Sequence, residues 1–145
     1  MRVVAGLLLA VSLAATAAAQ DNYPTRPITL IVPFPPGGST DVIARVIGEG
    51  FRRVLGQPVL IDNRAGASGM LGTGALVRAE PNGYTIGMGT ASTLAINQAV
   101  FKSQPYDVTV DLAAIGNIAD VPNIMSVNPN VPAQTLPELV ALAKR

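Results

Sequence analysis

Short apolar runs alternate with stretches of helical periodicity along the first two thirds of the chain. Three runs rich in β-branched and aliphatic residues, bounded by proline, glycine or aspartate, are typical of buried strands. They cover residues 28–32, 59–61 and 84–88. Gly87 inside the third run indicates that another part of the chain approaches its backbone closely.

Between and after these runs, apolar residues recur every three or four positions, which is the spacing of an amphipathic helix. The first stretch covers residues 42–54 and ends before Gly56, a plausible helix stop. The second covers about residues 70–79 and is rich in small side chains, and a third, short one covers residues 94–100. This alternation predicts an α/β fold with a parallel sheet and right-handed crossovers.

The pattern changes after Asp111. Two further strands are predicted over residues 112–118 and 123–127. Thr135, with Glu138 three positions later, is a capping-box sequence and predicts the start of a last helix.

The first residues have the composition of a secretory signal peptide. Met1-Arg2 is a short basic start, residues 3–15 are apolar, and an Ala-x-Ala sequence ends at Ala19. The apolar run is short for a membrane span of about 20 residues, and the chain has no cysteine that could carry a lipid. We expect export, cleavage after Ala19 and no membrane insertion of the mature chain.

The chain contains neither cysteine nor histidine. Their absence excludes disulfides, thiolate chemistry and Ser-His-Asp or Cys-His catalysis, and it removes most zinc sites. The formal net charge of +1 differs from the strongly basic footprint of a nucleic-acid binder. The sequence favours binding over catalysis, and it predicts no metal and no cofactor.

A predicted loop follows each of the three strands, and ligands of open parallel sheets bind at the carboxyl ends of the strands. The loops cover residues 34–41, 64–69 and 89–93. Each precedes a helix, whose unpaired N–H groups and dipole favour an anion. A few hydrogen bonds to a charged acceptor, at roughly 1.5–3 kcal/mol each, support micromolar binding. The predicted ligand is a small anion such as a carboxylate.

The first loop carries the most chemistry. Gly37 and Gly38 lack side chains, so a ligand can reach the main chain there. Ser39 and Thr40 offer hydroxyls at the mouth of the helix, and Phe34 would cover the apolar part of a ligand.

Two interpretations of this loop stay open on the residues alone. It is either an anion cradle or a capped turn in which Ser39 or Thr40 is the helix N-cap. Asp41 would repel an anion, and we expect it to brace the loop or the helix start instead.

The other two loops carry weaker signals. Arg64 is the only cation in the three loops, and Arg64 and Gly66 are further candidate contacts. The alternative, which we favour for Arg64, is a surface arginine or one paired with Asp62. The third loop offers the hydroxyls of Ser92 and Thr93, with Asn97 one turn later.

An enzyme that uses these serine and threonine hydroxyls is an alternative from another class. It needs a base, and without histidine only Asp, Glu, Lys or Tyr is available. The sequence also has no Gly-x-Ser-x-Gly elbow and no Gly-x-x-x-x-Gly-Lys phosphate loop. We expect a binding protein rather than an enzyme.

Several blocks of the chain, in order, carry a family resemblance. They are YPTRPI at 23–28, VPFPPGGSTDVIAR at 32–45, DNRAGASG at 62–69, PNGYTI at 81–86, and VNP with VPA from residue 127. Together they resemble the substrate-binding proteins of tripartite tricarboxylate transporters, also called Bug-type receptors.

The resemblance implies a two-lobed, periplasmic-binding-protein-like (type II) fold that closes on a carboxylate. The first lobe would cover residues 20–120, and residues 121–145 would hold the crossover strand and the start of a truncated second lobe. The loops after the first and third strands grip the ligand in this family. Carried over to this chain, the contacts would be Phe34, Gly37, Gly38, Ser39, Thr40, Ala91, Ser92 and Thr93.

The resemblance also implies a partner, which would be a tripartite-type membrane permease. A sensor that reports to a signalling protein, or a non-functional fragment of the receptor, is the alternative. Members of the family are much longer than this chain. We therefore expect that residues 20–145 alone keep the first-lobe contacts, lack closure, and bind carboxylates weakly or not at all.

Overall fold

The computed structural model describes residues 23–122 and 124–144. The predicted signal peptide, with its cleavage site after Ala19, lies outside this part of the chain. No helix among the described residues is long and apolar enough to cross a membrane. The chain divides into two compact units, one that ends at Ala113 and one that begins at Ala114. The predicted lobe boundary after residue 120 stays a prediction.

Three parallel strands form the sheet of the first unit. They are β1 (Ile28–Val32), β2 (Val59–Asn63) and β3 (Thr85–Gly87), in the order β2-β1-β3. Leu30 of β1 pairs with Ile61 on one side and with Ile86 on the other. The predicted strands and their parallel arrangement are confirmed, with β2 two residues longer and β3 one residue shorter at each end.

The first two helices also lie where the apolar periodicity predicts them. α1 covers Ser39–Leu55. Gly56 ends the helix in a left-handed conformation (φ 70°), and its N–H donates to the Arg52 carbonyl at 3.0 Å. A 3-10 turn at Ala67–Gly69 leads into α2, which covers Met70–Val77.

The third helical segment begins as a π-helix at Ser92–Ile96 and continues as α3 at Asn97–Val100. Single π-helical turns are rare and often lie at functional sites. A short helix α4 (Val108–Asp111) follows, and the carboxylate of Asp107 caps it by accepting a hydrogen bond from an N–H of its first turn.

Successive residues of a strand point to opposite faces of the sheet, and a different helix covers each face. α1 packs on β1 and β2, whereas α2 packs on β1 and β3. On the α2 face Gly87 lies against the side chain of Leu76, the close approach that the sequence indicated. The core on the α1 face consists of Leu30, Val32, Ala44 and Met88. The central strand β1 is therefore covered on both faces, whereas Leu60 of β2 is 54 % exposed, and the loops at the carboxyl end of the sheet remain accessible.

The first described residues are fastened at the opposite, amino end of the sheet. The hydroxyl of Tyr23 donates to the Gly83 carbonyl at 2.6 Å, and the Thr25 N–H donates to the Tyr84 hydroxyl at 2.9 Å. The guanidinium of Arg26 lies 4.2 Å from the centre of the Tyr84 ring. These contacts hold the chain in place before it enters β1.

The predicted strand over residues 112–118 is wrong. These residues, and residues 124–127 of the other predicted strand, have no regular secondary structure, and Asn123 lies outside the described part. Ile115 is 84 % exposed and Ile124 is 87 % exposed. Backbone N–H and C=O groups of a strand require a partner strand, and neither segment joins the three-stranded sheet.

The second unit contains the predicted last helix, α5 (Leu136–Ala143), and confirms its capping box. The N–H of Glu138 donates to the Thr135 hydroxyl at 3.4 Å, and the Thr135 N–H donates to the Glu138 carboxylate at 3.3 Å. The same carboxylate accepts the N–H of Gln134 at 2.7 Å. One glutamate thereby fixes the entry of the chain into α5.

A substitution at Gly72 of α2 tests the close packing between this helix and the loops. A Cβ at this position would lie 2.7 Å from the Arg64 carbonyl oxygen and 2.7 Å from the Pro33 Cα. Both are backbone atoms that cannot rotate away, so we expect Gly72→Ala to lower the free energy of unfolding by about 1–3 kcal/mol. Urea denaturation measures this change.

Gly50→Ala in α1 is the matched control, since nothing lies within 4 Å of a Cβ there. Alanine is favoured over glycine inside a helix, so this variant should gain about 0.5–1 kcal/mol. Equal stability of the two variants would contradict the packing described for α2.

Candidate functional site

The loops that follow β1, β2 and β3 meet at the carboxyl end of the sheet. The chain passes from β1 to β2 on one side and then to β3 on the other. The gap between the loops after β1 and β3 is therefore the topological switch point, where ligands bind in open α/β sheets. Gly69 of the second loop lies between the other two, because a Cβ there would lie 3.4 Å from Pro33 and 2.5 Å from Thr93.

The first loop presents backbone donors at the start of α1. Gly38 is the N-cap, and Ser39 and Thr40 are the first residues of the helix. The interpretation in which Ser39 or Thr40 caps the helix is therefore wrong. Within residues 23–122 and 124–144, no hydrogen bond uses the N–H groups of Gly38, Ser39 and Thr40. These three N–H groups remain available to a ligand.

Asp41 turns its carboxylate into the loop. It is 3 % exposed. One oxygen accepts the Gly37 N–H at 2.9 Å and the Arg45 Nε at 2.9 Å, and the other accepts Arg45 Nη2 at 3.0 Å and Asn63 Nδ2 at 3.0 Å. The expectation that Asp41 braces the loop is confirmed. Because the Gly37 N–H is already donated, it is not one of the donors left for a ligand.

The ion pair between Asp41 and Arg45 also determines the net charge at the mouth of α1, which is its N-terminus. An unpaired carboxylate in the first helical turn would repel an anionic ligand. The bidentate guanidinium neutralises this charge. Arg45 first, then the Gly37 N–H and the Asn63 amide, hold the pKa of the Asp41 carboxyl at about 2, below its ordinary value of 3.8.

Asn63 supports the candidate site through its side chain, and the sequence reasoning did not identify it. Its Nδ2 donates to the Phe34 carbonyl at 3.1 Å as well as to Asp41, so it joins the end of β2 to the first loop. The register pairs Asn63 with Val32, on the face that α1 covers. The signal in the sequence was the position of Asn63. It follows Val59 and Ile61 at alternate positions and so lies on the same face of the strand, although it is polar.

The second loop is a left-handed turn. Gly66, Ala67, Ser68 and Gly69 have φ angles of 132°, 47°, 54° and 86°. A left-handed conformation costs about 1–2 kcal/mol for each residue with a Cβ. The Gly66 carbonyl accepts the N–H groups of Gly69 at 3.0 Å and Leu71 at 3.4 Å. The carbonyl of Gly66 is therefore engaged in hydrogen bonds within the turn.

Arg64 pairs with Asp62, as the favoured interpretation predicts. The Arg64 Nε lies 2.7 Å from the Asp62 carboxylate, and both side chains are partly exposed. Exposed pairs of this kind contribute only about 0–1 kcal/mol. Ligand contact by Arg64 or Gly66 stays a prediction.

In the third loop, Thr90 and Thr93 bond to each other reciprocally. The Thr90 N–H donates to the Thr93 hydroxyl at 3.0 Å, and the Thr93 N–H donates to the Thr90 hydroxyl at 3.4 Å. This is the geometry of a capping box, and the Thr93 side chain is fully buried (0 % exposed). The Thr93 hydroxyl predicted to meet a ligand is thus used inside the loop. The accessible candidates there are Ala91, which is exposed, and Ser92, which is half-buried.

The predicted contact residues of the first loop are all accessible. Gly37, Gly38 and Ser39 are exposed, and Phe34 and Thr40 are half-buried. Their contact with a ligand stays a prediction. In the described part of the chain, no cluster of three Asp, Glu, His or Cys residues could hold a metal ion.

The depressed pKa of Asp41 makes the stability of the first loop pH-dependent. A carboxyl whose pKa is lower in the folded chain stabilises the fold above its ordinary pKa, and this stabilisation is lost as the pH falls. For Asp41 the loss should occur between about pH 3.8 and pH 2. We expect the Gly37 amide resonance to titrate near pH 2 in NMR spectra. Titration at 3.8 would contradict the network, and Asp41→Asn, which cannot ionise, is the control.

Comparison with known proteins bears on the class of protein to which this chain belongs. Residues 43–145 match the family described as "Tripartite tricarboxylate transporter family receptor" (TctC). Protein BugT of Bordetella pertussis is 42% identical over 142 residues, which are 97% of this chain and 44% of BugT. A UPF0065 protein of the same organism is 38% identical over 136 residues, which are 94% of this chain and 42% of that protein. The chain spans less than half the length of these relatives.

Solved structures agree with this assignment. The chain is 37% identical to R. palustris Rpa4515 with adipate, with a TM-score of 0.79 over 84% of this chain and 41% of that one. It is also 37% identical to MatC (Rpa3494) from Rhodopseudomonas palustris with bound malate, with a TM-score of 0.60 over 61% of this chain and 30% of that one. These comparisons confirm the predicted α/β fold of the periplasmic-binding-protein-like class. The chain belongs to the tripartite tricarboxylate transporter receptor family, the periplasmic solute-binding proteins that include the Bug proteins.

Proposed function

We propose that this chain supplies one half of a carboxylate-binding site in a periplasmic solute receptor of the tripartite tricarboxylate type. The mouth of α1 is the observation that supports the proposal most directly. The N–H groups of Gly38, Ser39 and Thr40 follow one another there, and the helix dipole adds a positive partial charge of about half an elementary charge. A carboxylate is an anion that three adjacent donors can bind.

The surroundings of these donors favour an anion over a cation or a neutral ligand. The only acid in the first turn of α1, Asp41, is paired with Arg45 and buried. Each hydrogen bond from an N–H group to a carboxylate contributes about 1.5–3 kcal/mol. The loop after β3 adds Ala91 and Ser92 at the switch point, and Phe34 provides an apolar surface for a carbon chain.

The relatives narrow the class of ligand. Rpa4515 was solved with adipate and MatC with malate, and both of these ligands are small dicarboxylates. A dicarboxylate would place one carboxylate at the mouth of α1. We further propose that residues 1–19 direct export to the periplasm and that the partner is a tripartite-type membrane permease.

The geometry also supports binding rather than catalysis. In the part of the chain that the structure describes, the hydroxyls of Ser39 and Ser92 form no hydrogen bond to a carboxylate, amine or phenol. A serine nucleophile needs such a base within reach. The Thr93 hydroxyl is held by Thr90 and is not accessible.

Ser39→Pro tests the contribution of one backbone donor. Proline lacks the N–H but is favoured at the first position of a helix, and Gly38 (φ −75°, ψ 167°) already has the extended conformation that a residue before proline requires. We expect adipate or malate to shift the amide resonances of Gly38, Thr40 and Ser92, with weak affinity. Ser39→Pro should weaken this binding by about 10- to 150-fold, since one hydrogen bond to a charge is lost.

Ser39→Ala is the matched control, because it removes the hydroxyl and keeps the N–H group. It should bind more tightly than Ser39→Pro. The uncharged diamide of adipic acid should cause no shifts. Of the two outcomes expected for this chain, weak binding or none, the proposal requires weak binding. Unchanged spectra on addition of adipate and malate, or equal affinity of Ser39→Pro and the unmodified chain, would therefore refute it.

A further inference from the structure

We infer that Asn97 is a positioning residue of this site, whose side-chain amide holds the second and third loops together. The inference deepens the proposed function and rests on it for the ligand. Asn97 is the first residue of α3, and it is 3 % exposed. Its Nδ2 donates to the Ser68 carbonyl at 3.0 Å, across 29 positions of the sequence.

The residue that Asn97 holds has an unfavourable backbone conformation. Ala67 and Ser68 are the described non-glycine residues with positive φ, 47° and 54°. Residues with a Cβ adopt this conformation only where the surrounding structure imposes it. Inside the turn, the Gly66 carbonyl accepts two N–H groups from the following residues. The bond from Asn97 is the polar restraint on Ser68 that comes from outside the turn.

The helical segment that contains Asn97 also contains Thr93, whose hydroxyl is part of the capping box of the third loop. Thr93 and Asn97 are four residues apart and are both buried, although the three residues between them are exposed. Thr93 bonds to Thr90, and Asn97 bonds to the second loop. One face of this π-helical and α-helical segment therefore fixes both loops at once.

Packing leaves little room for the two loops to move separately. A Cβ at Gly69 would lie 2.5 Å from Thr93 Cγ2, so the left-handed turn lies directly against the third loop. Ala91 and Ser92, the accessible residues of the third loop, precede Thr93 in the same helical segment. Their position relative to the second loop therefore depends on this packing contact together with the Asn97 bond. A site held in its binding geometry before the ligand arrives spends less free energy on ordering.

Asn97→Leu tests this role because it removes the donor and keeps a side chain of similar size. We expect the amide protons of Gly69 and Leu71, which bond inside the turn, to exchange with solvent at least about ten-fold faster. We expect the affinity for adipate, measured by NMR titration, to fall about ten-fold, which corresponds to about 1.4 kcal/mol. Asn97→Gln keeps the donor and should restore part of both quantities.

Ile28→Val is the matched control. Ile28 is buried at the amino end of β1, away from the loops. The control should lower the stability of the whole fold and leave the local exchange of Gly69 and Leu71 unchanged. Equal exchange and equal affinity in Asn97→Leu and Ile28→Val would overturn the inference.

The two proposals fail in different ways. If the unmodified chain binds neither adipate nor malate, the proposed function fails. The exchange comparison needs no ligand, and in that case it still decides whether Asn97 holds the loops. If the unmodified chain binds and Asn97→Leu binds equally well, the proposed function stands and the role of Asn97 is refuted.

Discussion

The buried carboxylate of Asp41 is the interaction on which the first loop depends. Its two oxygens accept hydrogen bonds from the glycine turn, from Arg45 one helical turn later, and from Asn63 at the end of β2. A strand, a loop and a helix are thereby joined at one anion. Because this anion is already paired, the N–H groups at the start of α1 can face a second, external carboxylate without repulsion. The structural role of Asp41 and the proposed binding role of the adjacent N–H groups are separated within a few residues.

Buried polar side chains also fix the other two loops. The buried polar side chains of the described residues are Asp41, Thr73, Thr93 and Asn97. Thr73 donates to the Gly69 carbonyl at 3.1 Å, Thr93 bonds to Thr90, and Asn97 bonds to Ser68. All four therefore bond to loops at the carboxyl end of the sheet. Buried polar groups are unfavourable unless they are satisfied, and these four are satisfied by fixing the loops that surround the candidate site. Among the described residues, the buried Oε1 of Gln104 and the buried hydroxyl of Tyr106 have no hydrogen-bond partner.

The chain covers only part of the length of its relatives in the receptor family. The chain covers 44% of BugT and 41% of Rpa4515, and the strands and loops that it contains are those of the first unit. Selectivity among carboxylates depends on every surface that contacts the ligand. In the proposed function, the first and third loops would contact one carboxylate group, which is the feature that adipate and malate share.

Local patterns in the sequence were sufficient for β1, β2, β3, α1, α2 and the capping box of α5, because each depends on side chains close together along the chain. The sequence also placed the three loops on one edge, since parallel strands end together. It did not identify which face of α1 is buried: Ala44 and Gly48 are buried, whereas Val46 is 68 % and Val54 is 83 % exposed. Nor could it show that residues 112–118 lack a pairing partner, or that Asn63 and Asn97 hold the loops. Those outcomes depend on contacts between residues far apart in the chain, which only the tertiary structure brings together.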